Sequence, residues 1–266
     1  MILPTVYLPH GAGPCFFMEW RRGPADTWDR TAGYLRGLVA SLPERPTAIL
    51  VVSGHWEAPA FTVGTASRPE LIFDYSGFPE STYQLTFAAP GSPGLGRRIR
   101  TLLSDAGLPA AEDAERGWDH GVFVPLKLVT PDAGIPVVQL SLMAGLDPVA
   151  HLAAGRALAP LRDDGVLIVG SGMSWHNMRG FTLEFTERSM VFDAWLERAV
   201  TDPVRRDTAL AEWDKAPYGR DAHPREEHLL PLMVAAGAAS GEPGRIAFRD
   251  QVMNVVVSAV EFGRAA

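Results

Sequence analysis

Two short, unbroken apolar runs constrain this chain more than any other feature. Ala48-Ile49-Leu50-Val51-Val52 and Val166-Leu167-Ile168-Val169 are too short for helices and carry no polar residue. Each suits a strand buried on both faces, as in a parallel sheet covered by helices. Both end abruptly in small residues, Ser53-Gly54 and Gly170-Ser171-Gly172. Open α/β sheets bind ligands just beyond such strand ends.

Strand-like and helix-like segments alternate around these runs. Residues 5–8, 61–65, 137–142 and 251–258 read as further strands. Residues 28–42 place Trp28, Ala32, Leu35, Leu38, Val39 and Leu42 on one helical face. Helices are also predicted over 94–106, behind Ser92-Pro93, and from 122 to 129, with Pro125 in the first turn. Three more are expected over 148–161, 190–200 and 227–239. The pattern predicts a single three-layer α/β/α domain over residues 1–266, with a central mixed sheet. Residues 71–93, rich in aromatics and holding three prolines, form the expected long functional loop.

Composition excludes several classes. With 266 residues and 47% hydrophobic content the chain can bury a large core. Its net charge of −7, without any long run of like charges, argues against nucleic acid as a partner. Arg97-Arg98-Ile99-Arg100 reads as a solvated helix face. Cys15 is the only cysteine, which excludes intrachain disulfides and a thiolate-rich zinc site. No basic leader precedes an apolar stretch at the N-terminus, and no segment reaches the ~20 apolar residues of a membrane span. A cytoplasmic protein, without nucleic acid or membrane as partner, is the expectation.

The chemistry is carried by histidine. Six of the seven histidines occur in short segments flanked by Gly, Ser or Pro: Pro9-His10-Gly11, Ser53-Gly54-His55-Trp56-Glu57, Trp118-Asp119-His120-Gly121, Ser174-Trp175-His176-Asn177 and His223-Pro224-Arg225-Glu226-Glu227-His228. Imidazole is the commonest metal ligand and the side chain best suited to proton transfer near neutrality. A lone histidine beside an apolar segment is more often structural. His151, within an alanine-rich helical pattern, is assigned that role. His223 and His228 are five apart, so they do not form the pair of an HExxH helix. The residues alone leave three readings open: a metal-dependent oxygenase, a zinc hydrolase with an activated water, and a metal-binding protein without catalysis.

Taken in order, the motifs resemble one family. His10-Gly11-Ala12-Gly13-Pro14, Ser53-Gly54-His55-Trp56-Glu57, Asp74-Tyr75-Ser76-Gly77-Phe78-Pro79, Ala89-Pro90-Gly91-Ser92-Pro93, Asp119-His120-Gly121, Ser171-Gly172 with His176-Asn177, and Glu227-His228-Leu229-Leu230-Pro231-Leu232 are similar to those of class III extradiol ring-cleavage dioxygenases of the DOPA-dioxygenase branch, related to the protocatechuate-dioxygenase β-subunit. The resemblance implies one catalytic domain. It implies a non-haem metal on His10, His55 and His228, with His176 as base or fourth ligand. The metal implied is Fe(II), with Zn(II) expected in purified protein because an all-imidazole site is less anionic than two histidines and a carboxylate. Substrates implied are a catechol and O2, and the product a muconic semialdehyde. His120 is expected to donate a hydrogen bond to a substrate oxygen, and His223 to contact substrate or to support the site from behind it. Glu227 is a neighbour that assists at the metal or does not, and self-association into a homo-oligomer is left open.

Overall fold

The computed structural model describes residues 2–263. In chain order its elements are β1 (Thr5–Pro9), α1 (Asp29–Ser41), β2 (Ala48–Ala58), β3 (Phe61–Gly64), α2 (Pro93–Asp105), β4 (Ala110–Asp113), α3 (His120–Val129), β5 (Val137–Met143), α4 (Pro148–Leu158), β6 (Val166–Gly172), α5 (Thr186–Thr201), α6 (Arg206–Ala211), α7 (Gly219–Ala222), α8 (Leu230–Ala238), β7 (Gly244–Val252) and β8 (Val255–Phe262).

The strands form one mixed sheet in the order β4-β3-β5-β2-β6-β1-β8-β7. Its centre is parallel: β2 pairs in parallel with both β5 and β6, and β6 with β1. β8 runs antiparallel to β1, and β3 antiparallel to β5. Alternate side chains of the central strands enter two cores. Val6, Leu8, Ile49, Val51, Leu167 and Val169 face α1 and α3. Tyr7, Leu50, Val52 and Ile168 face α2, α4, α5 and α8. These are the three expected layers, and the two apolar runs are central strands because both of their faces are covered.

Local expectations differ from the structure where turn chemistry prevails over periodicity. Residues 251–258 are not one strand: they hold the end of β7, a turn and the start of β8. Met253 and Asn254 both have positive φ, 46° and 73°, the backbone of a tight two-residue hairpin turn, and Asn tolerates that region well. The alternating valines on either side belong to two paired strands. Helix α8 starts at Leu230 rather than at 227, with Pro231 in its first turn, so His228 lies on the turn before it. Helix α4 stops at Leu158, and residues 159–162, which include Pro160, form a tighter turn. Strand β4 was missed; its Ala-Ala-Glu-Asp sequence lacks β-branched and aromatic residues. Among the described residues no helix is long and apolar enough to cross a membrane.

Candidate metal centre and active site

The parallel order β2-β6-β1 brings three strand ends side by side. His10 follows β1 directly and its N–H donates to Gly172 O at the end of β6 (3.0 Å). His55 lies in the last third of β2, where the register against β5 shifts: the four residues between Val52 and Glu57 oppose the single residue between Leu140 and Leu142. Such a bulge re-aims side chains. Here it accompanies a half-buried His55 between buried Gly54 and Trp56. His228 comes from the far end of the chain, and its carbonyl is anchored by Tyr7 Oη (2.7 Å) and Met173 N (3.2 Å). A Cβ on Gly172 would stand 2.1 Å from that carbonyl oxygen, so only glycine permits the approach.

The result is a cluster of imidazoles. His55 Nε2 lies 3.3 Å from His10 Nε2 and 3.1 Å from His228 Nε2. Two nitrogens bound ~2.1 Å from one ion are separated by roughly 3.0–3.4 Å at octahedral or tetrahedral angles, so these spacings fit a shared metal. The opposite ring nitrogens of His10 and His228 are already engaged, and that of His55 has a carboxylate nearby. His10 Nδ1 donates to Gly11 O (2.9 Å) and His228 Nδ1 to Glu227 Oε1 (2.9 Å), while His55 Nδ1 lies 3.7 Å from Asp74 Oδ2. Backing of this kind fixes the tautomer that leaves Nε2 for a metal. Burial, followed by the neighbouring histidines, lowers the pKa of His10 and His228 well below 6.5, and His55 is pushed down to about 3. Neutral imidazole is the form a metal takes. The donor set fits a metal ion.

Two more histidines complete the site. His176 stacks on His228 with ring centres 3.4 Å apart and planes 14° from parallel. Its Nδ1 lies 3.3 Å from Glu227 Oε1, so one carboxylate oxygen serves both rings. Burial alone would raise the Glu227 pKa, but the His176 hydrogen bond, with backbone and charge contributions, outweighs it and the pKa falls. His120 is the first residue of α3, and its ring centre is 4.0 Å from that of His55. Gly121 beside it must be glycine, because a Cβ would meet Ser53 Oγ at 2.5 Å and His55 Cδ2 at 2.8 Å. The ligating atoms of His10, His55 and His120 lie within 4.8 Å of one another, as do those of His176, Glu227 and His228.

His120, expected at a substrate oxygen, has its Nδ1 2.7 Å from Asp74 Oδ1, which leaves Nε2 as the polar atom available to substrate. One expectation requires correction: His223, expected to contact substrate or to support the site from behind, does not line the cavity above the imidazoles. It is fully buried instead, donating from Nε2 to Ser174 O (3.0 Å) with its ring against Phe192 and Trp213. Pro224 ends the short α7 there, and the segment turns inward to brace the loop carrying His176, whose N–H donates to Ala222 O (2.9 Å). Trp175, next to His176, is buried against Phe185 and Phe192. His151, by contrast, is structural as expected: Nδ1 donates to Asp147 O (2.7 Å) and Nε2 accepts from Met143 N (3.2 Å).

Asp74 and Asp119 are carboxylates of the site that the sequence left unassigned, whereas Glu227, left open there, has one oxygen against both His176 and His228. Asp74 accepts from both the backbone and the ring of His120, which lower its pKa against the effect of burial. Asp119 is buried and accepts from Ser53 Oγ (2.7 Å) and Gln139 Nε2 (2.5 Å), locking the start of α3 to the bulge of β2. Burial pushes its pKa up. Each aspartate could be noticed only as part of a His-bearing or aromatic motif.

Above the imidazoles opens a cavity of about 990 Å³, lined by His10, His55, His120 and His176 at its base. Tyr75 and Phe78 of the expected 71–93 loop form part of its wall. So do Trp20, Trp28 and the Met253–Asn254 turn, none of which the sequence marked as functional.

The comparisons agree with this geometry. Residues 4–260 match the family described as the catalytic LigB subunit of aromatic ring-opening dioxygenase. The chain belongs to that family, the class III extradiol dioxygenases. It is 44% identical over 200 residues to a 4,5-DOPA dioxygenase extradiol of Beta vulgaris, covering 74% of each chain. It is 35% identical to dioxygenase tasH of Hapsidospora irregularis over 98% of this chain and 86% of that one. The crystal structure of the uncharacterized protein JW3007 from Escherichia coli K12 superposes with a TM-score of 0.75 at 30% identity, covering 98% of this chain and all of that one. The chain is accordingly an extradiol ring-opening dioxygenase, non-haem and metal-dependent.

Proposed function

We propose that the substrate is a catechol, that the metal is Fe(II) held by His10, His55 and His228, and that the ring opens beside the diol to a muconic semialdehyde. The observation that carries this reading is the meeting of three Nε2 atoms whose partner nitrogens face a carbonyl or carboxylate. When bound, the metal supplies a chelating point for both catechol oxygens and a means of activating O2.

The chain's own residues then divide the remaining work. His176, with Nδ1–H directed at Glu227, keeps a bare Nε2 lone pair at the cavity base and accepts a catechol proton there. The resulting imidazolium is stabilised by the same carboxylate. His120 Nε2 accepts a hydrogen bond from a substrate hydroxyl, and Asp74 holds the ring in place. Tyr75 and Phe78 cover an aromatic ring and restrict water. The names of the plant relatives bring a catechol amino acid within the range of substrates.

Anaerobic loading with Fe(II), followed by O2 and a set of catechols, tests the reading. One O2 consumed per ring, with the yellow absorbance of a semialdehyde, is the expected result. Ester or amide hydrolysis without O2 uptake would overturn it in favour of the zinc-hydrolase alternative.

A further inference from the structure

Met253 stands where turn chemistry has least use for a methionine. The β7–β8 hairpin closes through Met253-Asn254, with Val252 paired to Val255, and both turn residues have positive φ. Two-residue turns of this kind favour Asn-Gly, because asparagine and glycine enter the left-handed region at little cost and longer side chains do not. The hairpin is not free to swing and relieve the conformation. Val252 and Val255 are fully buried, and Val256 N–H donates to Ser189 Oγ on α5 (3.0 Å). Backbone strain persists where the surrounding structure over-determines it, and such positions gather at functional sites.

Of the non-glycine residues with positive φ among the described residues, Met253 and Asn254 alone line the cavity above the imidazoles. Leu146 shows when an apolar residue is kept in this conformation: its φ is 53°, and its side chain is 5% exposed in the core. Met253 packs on the edge of that core but is only half-buried, and what the core leaves uncovered lines the cavity. Met178 and Phe181 line the same cavity, so the apolar surface does not stop at the hairpin tip. A thioether is unbranched and polarizable and adapts to the outline of what it covers. At about 990 Å³ the cavity lies at the upper end of the range that holds drug-sized ligands, beyond what a bare catechol fills.

We infer that Met253 is a specificity-determining residue whose thioether forms an apolar wall for the carbon substituent of the ring substrate. This rests on the ring-cleavage reading above. The ring lies over the imidazoles, and its substituent extends toward the hairpin tip and covers the methionine. The substrate class is then a catechol with an alkyl chain on the ring, preferred over catechol itself.

The test is the series catechol, 4-methylcatechol, 4-ethylcatechol and 4-propylcatechol. In the Fe(II) enzyme kcat/KM should rise about fourfold for each methylene that the wall covers. Calorimetry on zinc-loaded protein should give the same order of binding. Met253→Asn suits the turn and removes the wall. It should raise the melting temperature of zinc-loaded protein by about 1–4 °C and reduce the rise per methylene to less than about twofold. Met253→Leu, which keeps an apolar side chain on the same backbone, should restore most of the rise. Equal kcat/KM along the series, or the same rise in Met253→Asn as in the wild type, would overturn the role of Met253 while leaving ring cleavage intact. A lower melting temperature in Met253→Asn would overturn it too, because the fold rather than the substrate would then hold the methionine in place. Failure to open any ring of the series with O2 would overturn the parent reading, and the role of Met253 with it.

Discussion

Two sets of buried histidines in this protein differ in how their nitrogens are used. His151 and His223 are fully buried, and burial lowers the pKa of both, as it does for His10, His55 and His228. Burial and a depressed pKa therefore do not mark the site. His151 has both nitrogens occupied by backbone groups. His223 bonds one carbonyl and turns its ring toward Phe192 and Trp213. In the metal cluster one nitrogen of each ring faces a fixed polar partner and the other faces its counterparts within 3.3 Å. A convergent, spare lone pair is what distinguishes a ligand from a core histidine.

The largest effect that could break this contrast is at His55, the central member. His55→Ala should abolish retained metal and ring cleavage, and His151→Ala should retain metal at the wild-type ratio, both read by elemental analysis after dialysis. Metal retained in the first variant would assign the third ligand position to His120.

His176 separates base from ligand. His176→Ala should keep its metal but lose turnover by ~10²–10⁴-fold, the contribution of a positioned acid–base group. Metal loss in that variant would make it a fourth ligand instead.

Glu227 sharpens the contrast further, because one oxygen lies against both the proposed ligand His228 and the proposed base His176. Glu227→Gln should lower metal affinity or turnover ~10–100-fold, as loss of a ligand's hydrogen-bonding partner does. Competition with a chelator measures the first and steady-state kinetics the second. An unchanged enzyme would mean that stacking alone orients His176.

The smallest expected effect is at His223, where only stability is at stake. Its native pKa, about 3, lies below the 6.5 of a free imidazole, so between these values the unfolded chain binds a proton that the native chain does not. The contribution of neutral His223 is whole above about pH 6.5 and is lost as pH falls toward about 3. The slope is up to ~1.4 kcal/mol per pH unit. Urea midpoints of metal-free protein should fall less steeply with acid in His223→Gln than in the wild type. A parallel pair of curves would show that His223 is not the group responsible.

Much of this organisation was legible in the chain. The apolar runs of β2 and β6 and the helical spacing of α1 reflect local geometry and burial, which leave a periodic trace. The small residues after the strands marked the exits where His10, His55 and His176 appear. The sequence by itself thus determined the α/β class, the strand-end position of the histidines and, through its motifs, the family.

Tertiary structure decided the rest. Which histidines meet depends on the strand order β2-β6-β1 and on His228 being tied to Tyr7 across the chain, and no local period encodes such pairing. The tautomers of His120 and His176 depend on Asp74 and Glu227, whose carboxylates resemble any surface acid until the loops close around them. His223 and His228 share one short motif, yet Pro224 and the turn before α8 send one into the core and the other to the imidazole cluster. Their side chains are identical; only the acceptors that folding brings to each ring nitrogen make their roles different.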